Sequence, residues 1–83
     1  MTKDNMTTNE KINLDNLIYF LESKKMVHIK LLRTDHNGKH IFLNGTFVVR
    51  LSDRLFLLNE RILGDIRVSL AEIKPNGIME YQQ

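Results

Sequence analysis

Three histidines are the side chains of this chain best suited to chemistry, because a neutral imidazole can ligate a metal or accept a proton near neutral pH. They stand at His28, His36 and His40, spaced by eight and four residues. His36 and His40 flank an Asn37-Gly38 turn and do not share a helix face, and no cysteine is present to complete a ligand set. A hairpin centred on that turn places His40 opposite Asp35, a cross-strand polar pair with a structural role. Ser52 has no histidine near it in sequence, the carboxylates are scattered, and each of the four glycines fits a turn or a bend. The chain therefore reads as a non-enzyme with no catalytic residues, no metal, no cofactor and no small-molecule substrate.

What remains is binding, and the elements that would position it. Eighty-three residues allow one small domain, and 42% hydrophobic residues suffice for a core. A lone core of this size is marginal, and the absence of cysteine removes disulfides and thiolate metal sites as reinforcement, so self-association is expected. Net charge is only +2, and the longest basic run is Lys24-Lys25. All five arginines (Arg33, Arg50, Arg54, Arg61, Arg67) fall after residue 30, in the strand-like part of the chain. No apolar run spans a bilayer and MTKDNMTTNE carries no apolar signal core, which predicts a soluble, cytoplasmic protein without a membrane partner.

Residues 1–12 are polar and predict a flexible tail; residues 13–78 predict a single domain, and 79–83 a second tail. Leu14, Leu17, Ile18 and Leu21 repeat with helical spacing, with Asn13 as the expected N-cap. Val27, Ile29 and Leu31 then alternate as a first strand, and Asp35 to Gly38 predicts a type I′ hairpin turn. A second strand runs from Lys39 to Leu51, and Asn44-Gly45 within it is read as a sharp bend, with a further hairpin turn as the alternative. Leu55 to Leu58 is a third strand, apolar on both faces; residues 59–65 read as a loop; Ile66 to Leu70 is a fourth strand. Ala71 to Ile73 fits one 3₁₀ turn, and a short fifth strand ends at Pro75-Asn76-Gly77. Phe42, Phe47 and Phe56 are all assigned to the core. The fold class is mainly β: a helix, then five antiparallel strands closing into a small barrel that hides its edges.

A helix before a bent, glycine-centred second strand (Gly45-Thr46-Phe47-Val48-Val49), a loop aspartate (Ser52-Asp53-Arg54-Leu55) and a 3₁₀ signature (Ser69-Leu70-Ala71-Glu72-Ile73) resembles the Sm/LSm superfamily. The stretch runs from Leu14 to Pro75. The resemblance implies an SH3-like barrel, a homo-oligomeric ring, and single-stranded RNA held by pore-lining loops, here Ser52, Asp53, Arg54, Ser69 and Glu72. The chain departs from the family where bases are read. It has Arg54-Leu55 in place of an asparagine after the loop aspartate, and Val68-Ser69-Leu70 in place of an Arg-Gly pair or Tyr-Lys-His.

Two readings stay open. One is an Sm-like ring that binds single-stranded RNA. The other is an oligomeric SH3-like barrel serving protein interaction or structure without nucleic acid. In both, Leu55, Leu57, Ile66 and Val68 are expected at the subunit interface.

Overall fold

A computed structural model describes residues 6–82. Helix α1 covers Thr8–Ser23, followed by strands β1 (Val27–Thr34), β2 (His40–Arg50), β3 (Leu55–Glu60) and β4 (Gly64–Ser69), a 3₁₀ turn at Leu70–Glu72, and β5 (Ile73–Glu80).

The helix begins earlier than the apolar periodicity suggests. Thr7 is its N-cap: the Glu10 N–H donates to Thr7 Oγ1 at 3.1 Å, and the Thr7 N–H donates to Glu10 Oε1 at 3.0 Å. This reciprocal box satisfies two otherwise orphaned amides, so residues 8–12 are helical and not part of a tail. Residues 1–5 of the expected tail lie outside the described residues. Asn13 is a helical residue, 1% exposed, on the same face as Leu17 and Phe20. Its side-chain amide donates to the Lys74 carbonyl at 3.3 Å, and its oxygen accepts from the Asn76 N–H at 3.2 Å, tying α1 to β5.

The strands follow the alternation of apolar residues. Val27, Ile29 and Leu31 are buried on β1, and Phe56 and Leu58 on β3, where they meet Val68, Leu70 and the helix residues Leu17 and Phe20 in one core. Strand β2 is continuous across Gly45, and a β carbon there would press on the Asn59 carbonyl and sit 2.8 Å from Glu60 Cα. Only glycine lets β3 approach this closely. The hairpin between β1 and β2 differs from the expected type I′ turn. The Gly38 N–H donates to the Asp35 carbonyl and the Asp35 N–H to the Lys39 carbonyl, and only Gly38 at the tip has positive φ (80°). This is a type I turn with a glycine bulge. His40 accordingly pairs with Thr34, not Asp35, and its Nδ1 bonds the Leu31 carbonyl at 2.8 Å. The Asp35 carboxylate accepts instead from the Asn37 and Lys39 N–H groups.

The remaining boundaries also move. Strand β3 reaches Glu60 and β4 starts at Gly64, so the expected loop shrinks to a turn at Arg61–Leu63. Strand β5 passes through Pro75–Gly77 as a bulge, Ile29 pairing with Ile78 and Leu31 with Ile73, and continues to Glu80 inside the expected tail. All pairings are antiparallel, in the order β4-β3-β2-β1-β5. Strands β4 and β5 end the sheet with no ladder between them among the described residues, so the expected closed barrel is an open, bent sheet. Because only the three residues of the 3₁₀ turn connect β4 to β5, the end of β4 and the start of β5 lie close together although the two strands do not pair. No helix among the described residues is long and apolar enough to cross a membrane.

Candidate functional site

The five loop residues singled out from the sequence come together at one end of the sheet. Leu55 pairs with Ser69, and the Leu70 N–H donates to the Arg54 carbonyl at 2.9 Å, which sets the Ser52–Arg54 turn against the 3₁₀ turn. Much of their bonding capacity is used locally. Ser69 Oγ accepts from the Ala71 N–H, while the Ser69 N–H donates to Glu72 Oε1, a capping box at the 3₁₀ turn. Arg54 Nε lies 3.3 Å from Glu10 Oε2. The carbonyls of Ser52 and Asp53 accept from the Arg50 guanidinium, which also lies over the Phe56 ring at 5.5 Å.

The four residues expected at an interface divide between two strands with different freedom. Strand β3 runs between β2 and β4, with partners on both sides, so Leu55 and Leu57 have no free backbone edge and contribute half-buried side chains only. Strand β4 has one free edge. Ile66 is half-buried there and Val68 is 1% exposed within the core.

Two groupings escaped the sequence reading. The first is Glu60, 6% exposed at the end of β3. Its carboxylate accepts from the N–H groups of Asn44, Ile62 and Leu63 at 2.8–3.1 Å. Burial pushes its pKa up, but these three amide donors and the nearby Arg61 charge outweigh that and hold the group below the ordinary glutamate value. A lone carboxylate in a presumed loop gives no sign of this in sequence.

The second grouping lies on the outer face of β1 and β2. Phe42 is not in the core: it is 43% exposed, whereas Phe47 and Phe56 are buried. The His28 imidazole stacks on it, rings 14° from parallel with centroids 4.6 Å apart, and Lys30 Nζ is 5.9 Å from the Phe42 centroid. His28 Nδ1 is hydrogen-bonded to Asn44 Oδ1. Beside them, Arg61 donates to the Tyr81 hydroxyl at 2.8 Å, and its own N–H donates to the Asn44 carbonyl. The signal was in the alternation: Ile41 and Leu43 point inward, which turns Phe42 outward.

Depressions mark the surface of the described residues. One of about 330 Å³ lies between the start of α1 and the 3₁₀ turn, where Thr7 and Glu10 are engaged in capping and Asn13 in holding β5. Another, about 250 Å³, is lined by His28, Asn44, Met79, Glu80, Tyr81 and Gln82. Among the described residues no three histidine or carboxylate side chains gather where a metal ion could sit. The chain matches no known protein family, no curated protein and no solved structure.

Proposed function

We propose that the protein is a self-assembling, Sm-like binding module that joins its copies through β4 and β5, takes up single-stranded RNA, and works by recognition without catalysis. The observation that carries the assembly is the strand order β4-β3-β2-β1-β5, which leaves one unpaired backbone edge at each end of a bent sheet. An unpaired edge is a template for another strand. Because the two edges differ, pairing β4 of one copy with β5 of the next is a head-to-tail contact, which closes into a ring when the rotation per copy divides the circle. Edges that a closed barrel would hide within one chain are then hidden between chains. The helix, the long β2 with Gly45 at its middle and the 3₁₀ turn before β5 support the resemblance to the Sm/LSm superfamily.

For RNA, support comes from the distribution of charge: β1 and β2 carry His28, Lys30, Arg33, His40 and Arg50 and no acidic residue at all. At the loop cluster, Arg54 is the group able to leave its ion pair with the largely buried Glu10 for a phosphate. The second reading, a protein-interaction module, draws on the local engagement of Ser69 and Glu72, which leaves that cluster poor in free donors.

Light scattering on the purified chain, together with binding of short labelled oligo(U) and oligo(A), tests the proposal. A mass several times that of the 9.8 kDa chain is expected, with oligonucleotide affinity that falls as salt rises and weakens in Arg54→Ala. A monomer mass overturns the assembly. An oligomer that ignores both oligonucleotides at micromolar protein leaves the protein-interaction reading standing.

A further inference from the structure

We infer that the outer face of β1 and β2 is the base-stacking surface for single-stranded RNA, with the Phe42–His28 pair as the platform and Lys30 and Arg61 as phosphate contacts. This rests on the reading that the chain binds single-stranded RNA, and it places the bases on a surface other than the Ser52–Arg54 and Ser69–Glu72 loops.

The Phe42 ring is partly open to solvent on the sheet surface and is held in place for a planar partner. Phe42 is 43% exposed, stacked on one imidazole and fixed on a continuous strand. The imidazole is fixed in turn by its bond to Asn44. Such a pair offers flat surface at little ordering cost, and every base has a matching face once it is out of a duplex. Cations stand on two sides: Lys30 next to the ring, and Arg61 beyond Asn44, where its guanidinium is also held by Tyr81. The acidic groups nearby are already engaged. Glu60 is buried under three amides, and Glu80 is 3.8 Å from Lys25. What faces solvent is therefore aromatic surface flanked by the Lys30 and Arg61 charges, a combination that a single-stranded polyanion with exposed bases can use. The depression bordered by His28, Asn44, Tyr81 and the Lys25-paired Glu80 lies alongside the platform and gives a neighbouring base somewhere to sit.

The test is fluorescence anisotropy of short labelled oligo(A) and oligo(U) with the full chain and its variants, at about 50 and about 200 mM salt. Phe42→Leu keeps apolar bulk but removes the plane, and should weaken binding about tenfold or more, while Phe42→Tyr should bind like the parent. Lys30→Gln and Arg61→Gln should each flatten the salt slope by about 0.7. These last two are exposed or half-buried charges outside the core, so they report even if a Phe42 variant unfolds. If the parent chain binds neither oligonucleotide, the RNA reading and this inference fall together. If the parent binds, Arg54→Ala loses binding and the Phe42→Leu and Lys30→Gln chains bind as before, this inference alone is overturned. That pattern is also the one expected of a face that contacts protein.

Discussion

Glu60 shows how one side chain can hold a junction. Its two carboxylate oxygens are divided between strands: Oε2 accepts from Asn44 on β2, while Oε1 accepts from Ile62 and Leu63 in the turn that starts β4. Its native pKa lies below the unfolded value of about 4.3, so the ionised form is favoured by folding. The stabilisation is then fully present above the unfolded pKa and is lost as pH falls from there through the lower native value. Glu60→Gln keeps the shape but turns an amide N–H towards backbone donors, at a cost of about 1–3 kcal/mol near neutral pH. Urea melts at stepped pH should show the parent's advantage over Glu60→Gln shrinking below about pH 4.3, and parallel curves through that range would refute the assignment. Nothing in the sequence marks this residue, because its partners become neighbours only once β2 and β3 pair. The same holds for Asn13, a polar side chain on an apolar helix face whose bonding partners are more than sixty residues away. Local polarity made it look like a cap, whereas Thr7 with Glu10 three positions on was the true start signal.

At the scale of elements, the strands were legible because burial on one face imposes a period of two, as Val27, Ile29 and Leu31 show. Their ends were not legible where bulges intervene, since a bulge adds residues without changing the alternation on either side. Pro75–Gly77 looked like a stop and is an excursion within β5. Strand β2 is the element on which the others depend, because it pairs with β1 along one half and β3 along the other, and Gly45 lies where those halves meet. Gly45→Ala would drive a β carbon into the Asn59–Glu60 backbone, and backbone cannot swing aside as a side chain does. A loss of about 1–3 kcal/mol is expected, read as a lower urea midpoint with an unchanged slope. Destabilisation within a few tenths of a kcal/mol would mean that the approach of β3 to β2 does not require glycine.

At the scale of the whole molecule, the core among the described residues is one cluster of thirteen buried apolar residues, while large apolar side chains remain outside it. Ile62 and Leu63, at the turn leading into edge strand β4, are 83% and 64% exposed, and Val49 and Leu51 at the end of β2 are 44% and 45% exposed. A chain of this size with no disulfide has little stability to spare, and in the proposed assembly copies would cover surface of this kind. Folding and association are then linked, and the folded subunit gains stability by mass action. A tenfold rise in total protein should contribute up to about 1.4 kcal/mol per subunit, which for a domain of this length moves Tm upward by several degrees. Thermal melts over a hundredfold concentration range, followed by circular dichroism, would read that slope directly. A Tm that stays flat across the range would mean that the isolated sheet and its helix are sufficient, and that the β4 and β5 edges contribute nothing to holding the fold together.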